Sequence, residues 1–258
     1  MTASLAIDSV NLQTSYGFII QSPLVLNPAN AKTKTTPVFG RLMSYSSEPV
    51  LSPSVLAVSG TVVRDTASAR ETAEDAILAL LYRETFTVTR VSWGGTTRTL
   101  ANAALDGQPR VEPIHTRGSR LSFGILAPEA SWRGSSTTVT IAAPDTDYAL
   151  ALGTAPSYPV ITIPTANAAE VVTIKNGAGT AVVTLTFAAL PAATSLVIDC
   201  VRGEIETVTG GVATRAMQYL ASGDFPFALL PGWYNGVTPP TIRTSDNDGS
   251  IQYYPRYY

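Results

Sequence analysis

Apolar positions along this chain recur in two rhythms, and only one stretch keeps helical spacing. Ala73, Ile77, Leu80 and Leu81 form a single stripe, the spacing of a helix that covers a sheet. Ser68 and Glu71 stand ahead of it in the S-x-x-E pattern of a capping box, in which each side chain satisfies a free backbone N–H. The pattern predicts a helix over about 68–83, with Arg70, Glu74 and Asp75 away from most of the stripe.

The rest reads as strands. Segments 16–20, 38–45 and 55–63 precede the helix. After it, Phe86 and Val88 alternate with Thr85, Thr87 and Thr89, and Val91 and Trp93 continue with the alternation slipped by one. Gly94 and Gly95 supply a tight turn, since glycine reaches positive φ without strain. Strands at 96–105, 110–115 and 120–126 follow, and 127–134 breaks the pattern as a boundary. Beyond it, 158–163, 171–175, 181–187, 196–201, 205–209 and 212–219 are separated by turn signals such as Asn176-Gly177 and Gly210-Gly211. Such spacing indicates an antiparallel sandwich or jelly roll. The expected fold is mainly β, with a helix-bearing N-terminal domain over 1–135 and a sandwich over 136–258. The tyrosine-rich tail, 239–258, is left to the second domain, to a return onto the first, or to another subunit.

Composition sharpens this picture. Charged residues are 14% of the 258 positions and there are 33 threonines. A chain poor in charge and rich in β-branched residues favours half-buried strands, and its surface is of the kind other subunits cover. The net charge is −2, with no basic excess to neutralise phosphates, so sequence-specific nucleic-acid binding is not expected. No signal peptide is visible and no apolar run approaches the ~20 residues of a membrane helix, so the chain is expected to fold in a cytoplasm without a membrane partner.

Candidate chemistry is sparse. Cys200 is the only cysteine, which excludes an internal disulfide or a cysteine metal cluster; within Leu196–Val201 it reads as a small buried hydrophobe rather than a reactive thiol. His115 is the only histidine, so a two-histidine zinc site is excluded and any triad would have to use it. Glu204 and Glu206 would share a strand face, and adjacent carboxylates beside a turn read as a solvated edge rather than a glycosidase pair. Asp246-Asn247-Asp248-Gly249 resembles part of a calcium loop, but Thr244 and Pro255 stand where an EF-hand needs carboxylates, which leaves a polar turn or an irregular site. Trp93, Trp132 and Trp233 sit beside turns or strand ends and read as core or interface packing ahead of sugar platforms. No phosphate-cradling loop or nucleophile elbow is present. No catalytic residue, metal ligand or cofactor is expected.

A series of stations along residues 55–236 resembles the distal tail protein (Dit) family of long-tailed bacteriophages. It starts with Val58-Ser59-Gly60-Thr61-Val62 before the helix and continues with Phe123 through Pro128 to Trp132, similar to the family's F-x-x-x-DP-x-W boundary. Pro159-Val160-Ile161-Thr162-Ile163, Ile174-Lys175-Asn176, Leu196-Val197-Ile198-Asp199 and Leu230-Pro231-Gly232-Trp233-Tyr234-Asn235 follow, similar to P-x-I-x-I, I-x-N, L-x-I-D and L-x-PG-x-N. Two stations depart: Ala127 replaces the Asp of D-P, and the last carries one extra residue.

The resemblance implies a virion structural protein of the tail tip, whose N-terminal domains form a hexameric ring with galectin-like sandwiches outside. Such a hub joins the tail tube protein to the tail-tip hub protein around a DNA channel. The competing reading is a carbohydrate- or receptor-binding sandwich, because fold alone does not decide function. An enzyme is a distant third.

Overall fold

The computed structural model describes residues 4–21, 24, 26, 31–32, 35–37, 44–46, 50–51, 53–92, 95–166, 169–191, 194–245 and 248–257. The chain divides into two compact units, one ending at Arg133 and one running from Gly134 to Tyr257.

The first unit opens with β1 (Ser4–Ile7), β2 (Val10–Asn11), α1 (Leu12–Tyr16) and β3 (Phe18–Ile20). Four short strands follow, β4 (Ala31–Lys32), β5 (Thr35–Pro37), β6 (Ser44–Ser46) and β7 (Val50–Leu51), and they pair as β4–β7 and β5–β6. Then come β8 (Ser54–Val63), α2 (Ala67–Leu81), β9 (Phe86–Val91), β10 (Thr97–His115), β11 (Gly118–Ala127) and β12 (Trp132–Arg133). The main sheet is antiparallel in the order β2-β1-β9-β10-β11-β8-β3. Period-two alternation fixes its inner face: Leu56 and Val58 of β8 stand opposite Ile125 and Phe123 of β11, all buried. Ala73, Ile77, Leu80 and Leu81 of α2 are buried with them, and each fully buried Leu or Ile contributes roughly 1.5–3 kcal/mol. Gly60 is required by packing, because a Cβ there would lie 2.6 Å from the Phe18 ring and 2.5 Å from the Ile19 carbonyl oxygen.

Several expectations are corrected in this unit. The helix cap is Thr66, whose hydroxyl accepts the Ala69 N–H at 3.1 Å, and not the Ser68–Glu71 box. Starting earlier adds Ala67, a strong helix former, and leaves Glu71 to pair with Arg70 at 3.0 Å. Arg70 and Glu74 lie within the buried face rather than away from it, because they satisfy one another and the hairpin beneath. Segments 96–105 and 110–115 are one strand, β10, with an irregularity between Asp106 and Arg110 where Gly107 takes φ +73°. Residues 12–16, partly read as strand, form α1, capped by Asn11 and ended by Gly17 at φ 67°. Of the strand expected at 38–45, residues 38–43 lie outside the described residues, as do Trp93 and Gly94.

The second unit is a two-sheet sandwich. Its elements are β13 (Thr137–Ile141), β14 (Tyr148–Ala149), β15 (Val160–Ala166), β16 (Ala169–Lys175), β17 (Ala181–Ala188) and β18 (Thr194–Asp199), then β19 (Glu204–Thr209), β20 (Val212–Arg215), β21 (Leu220–Ser222), β22 (Thr241–Thr244), β23 (Gly249–Tyr253) and β24 (Arg256–Tyr257). One sheet runs β13-β23-β15-β18-β19-β20 and the other β14-β22-β16-β17-β21. Ile161, Ile163, Leu196, Ile198 and Ile251 of the first and Val172, Ile174, Leu185, Phe187 and Ile242 of the second form one core. The strand expected to reach residue 219 stops at Arg215, and Met217–Tyr219 turns as a 3-10 helix toward the other sheet. The tail, which lacked a clear rhythm, supplies β22 to one sheet and β23 to the other. Tyr253 ties it down, its hydroxyl accepting the Ala151 N–H at 2.8 Å and donating to the Ala151 carbonyl at 3.2 Å.

Candidate functional site

The chemistry-bearing residues singled out from the sequence are scattered and engaged locally. His115 ends β10 at the tip of the β10–β11 hairpin, exposed, and its Nδ1 accepts the Arg117 backbone N–H at 3.1 Å. Its carbonyl takes a hydrogen bond from Arg70 Nη1 at 3.0 Å. Glu204 is ion-paired with Arg202 and lies 3.8 Å from Arg215 Nη2, while Glu206 stands opposite Arg215 in the β19–β20 ladder. This is charge pairing on an edge hairpin.

Cys200 is buried, and its thiol is pushed up to about 12. Burial is the main cause, with the Asp199 charge adding to it against a backbone hydrogen bond from Phe227. Asp246 and Asn247 lie outside the described residues, and among the described residues no group of three His, Cys, Asp or Glu side chains converges to hold a metal. Trp132 is 0% exposed and stacks against Arg90, while Trp233 packs against the core of the second unit. Trp132 presents no free ring face for a sugar.

Sequence reasoning missed the polar cluster under α2. Arg70 Nε lies 3.1 Å from Glu74 Oε1, close enough to pair charges but not aimed as a hydrogen bond. Glu74 in turn accepts from the Ser119 hydroxyl on β11. The i,i+4 spacing of Arg70 and Glu74 was the available signal. The cluster clamps the helix to the hairpin and leads to no cleft.

What remains is surface of the kind assemblies use. The β8–β11–β10 face opposite the core carries small and polar side chains, with a shallow depression of about 340 Å³ lined in part by Ala57, Ser59, Gln108, Arg110, Ser122 and Gly124. A second groove of about 570 Å³ runs between α1 and α2, past Tyr16, Arg64, Ala69, Thr72 and Ala76. Both lack the converging buried titratable groups of a catalytic pocket.

A helix-bearing sheet unit and an antiparallel sandwich define a mainly β protein of two units. Comparison with known proteins makes this specific. Residues 152–257 match the family described as the siphovirus-type tail component, C-terminal domain, a stretch that lies within the second unit. Over 100% of both chains the protein has the fold of the crystal structure of the phage SPP1 Dit protein, at 14% identity and a TM-score of 0.69. That structure is described as a paradigm of the hub adsorption apparatus in phages infecting Gram-positive bacteria. The phage p2 baseplate in its activated conformation with Ca aligns over 100% of this chain and 99% of that one at 10% identity, with a TM-score of 0.40. No curated protein matches the sequence. The resemblance read from the ordered stations is borne out.

Proposed function

We propose that this protein is the distal tail hub, a hexameric ring that joins the tail tube to the tail-tip complex and leaves a central passage for DNA. The single observation that carries the reading is the family match of the sandwich unit. The whole-chain likeness in fold to a protein described as a hub is consistent with it. Physical features of the chain agree. A ring closes through a heterologous interface and needs neither ligand nor cofactor. Its subunits bury sheet faces and edges against one another, which suits the sparse charge and the small-residue sheet face of the first unit. With a net charge of −2, its lumen need not grip the phosphates that pass through it. The hub works by assembly, and catalysis has no part in it. Multi-angle light scattering of the purified protein should give a particle near six times 27.2 kDa, with rings in negative stain. A monomer that binds glycans instead would replace the hub with the receptor-binding reading.

A further inference from the structure

Asparagine precedes glycine twice in this chain, at Asn176-Gly177 and Asn235-Gly236, both in the second unit. A glycine nitrogen has no Cβ beside it to hinder attack on the preceding side chain, so such a pair closes to a cyclic imide wherever the backbone can bend to bring the two atoms together. The dipeptides are alike, but their surroundings differ.

Asn176 is held. Its Oδ1 accepts the N–H groups of Ala178 at 3.1 Å and Thr180 at 2.9 Å, and its own N–H donates to the Thr180 carbonyl at 2.9 Å. The attacking nitrogen is engaged as well, because the Gly177 N–H donates to the Trp233 carbonyl at 2.7 Å. Space around it is short: a Cβ on Gly177 would lie 2.3 Å from the Thr238 carbonyl oxygen and 2.6 Å from the Asn235 nitrogen.

Asn235 is exposed and opens a two-residue hairpin turn, Gly236-Val237. Its N–H donates to the Thr238 carbonyl at 3.1 Å, and the Thr238 N–H donates back to the Asn235 carbonyl at 3.0 Å. Neither the Asn235 side-chain amide nor the Gly236 N–H has a hydrogen-bond partner among the described residues. Gly236 takes φ +60° with open space around it, and Val237 beyond it is 96% exposed.

We propose that Asn235 is a site of spontaneous deamidation, and that Asn176 is its protected counterpart. The Gly236 nitrogen bonds to Asn235 Cγ, the Cγ–Nδ2 bond breaks, and ammonia leaves with the Gly236 proton, giving a succinimide. Water then opens the ring at either carbonyl. Addition at Cγ leaves an ordinary aspartate at position 235. Addition at the main-chain carbonyl leaves an isoaspartate, with the backbone routed through the side chain and lengthened by one methylene. Either product places a carboxylate on a turn whose residues, 235–238, carry no charge. The site lies within the second unit and does not depend on the hub reading.

The test is peptide mapping by mass spectrometry after the full-length protein is aged in mildly alkaline buffer, once folded and once in urea. Trypsin cuts after Lys175, Arg202, Arg215 and Arg243, so the two pairs fall on separate peptides. In the folded protein Asn235 should convert at least about tenfold faster than Asn176, the weight of one hydrogen bond that must break before Gly177 can attack. In urea the two rates should converge. Asn235→Gln, which would need a larger ring, should silence the signal from its peptide. Equal rates in the folded protein, a faster Asn176, or a ratio that persists unchanged in urea would overturn the proposal. So would an Asn235 that converts in urea but resists when folded, or a signal that survives Asn235→Gln.

Discussion

Replacing Glu74 with alanine should destabilise the first unit by an amount the geometry sets. The Arg70 and Glu74 side chains are only 10% and 11% exposed, with Nε and Oε1 3.1 Å apart. Removing one partner of a buried ion pair typically costs about 3–5 kcal/mol, because the other charge is left buried. Arg70 keeps its contact with the His115 carbonyl at 3.0 Å, a weaker one with the Thr116 carbonyl at 3.4 Å, and exposed Glu71 at 3.0 Å. The loss should therefore fall lower, at about 2–3 kcal/mol, with part of it from the Ser119 hydroxyl left without its acceptor. The double variant Arg70→Met/Glu74→Leu also strands the Ser119 hydroxyl but leaves no buried charge, so it should be more stable than the single variant by about 1 kcal/mol or more. Urea denaturation followed by circular dichroism reads both; with m of ~1–3 kcal/mol/M the single variant shifts the midpoint by roughly 1 M or more. A single-variant loss below about 0.5 kcal/mol, or a double variant as unstable as the single, would refute the assignment of this cluster as a charge-balanced clamp.

Three further outcomes follow from the structure. Thr66→Ala should cost about 1 kcal/mol through the lost helix cap, whereas Ser68→Ala should be nearly neutral; equal costs in the same urea series would restore the capping box. Cys200 should resist iodoacetamide at pH 8 in the native protein and react fully once unfolded, and rapid native labelling would contradict its burial. Because its thiol is raised in the folded state, it contributes no pH dependence below about pH 9. From there toward about pH 12 only the unfolded thiol loses its proton, so this group's contribution to stability falls as pH rises. Gly60→Ala should lower the melting temperature measurably, since the added Cβ would meet backbone and ring at 2.5 and 2.6 Å; an unchanged melting temperature would show that β3 does not lie on β8 as described.

The period-two rhythm was enough to find most of the sheet. Strands at 55–63, 120–126, 171–175, 181–187 and 205–209 coincide closely with β8, β11, β16, β17 and β19, because each buries one face and its alternation is set by that burial. The main helix was legible for the same reason, its stripe being Ala73, Ile77, Leu80 and Leu81. Where alternation carried little apolar contrast, the sequence was silent. β13 alternates Thr and Val beside a serine-rich stretch, and β22 and β23 sit in a polar tail whose strands gain their apolar surroundings only from distant partners. The Arg70–Glu74 clamp was misread because charge was equated with exposure, whereas mutual pairing lets both side chains enter the buried face.

We proposed above that this protein forms the ring between tail tube and tail tip. Cryo-electron microscopy of virions carrying it tests that most directly. Six copies are expected in a closed ring directly beyond the last tube ring, with density for DNA or an open passage on the axis. Copies found only on peripheral fibres, or a stoichiometry that does not close a ring around the axis, would contradict it.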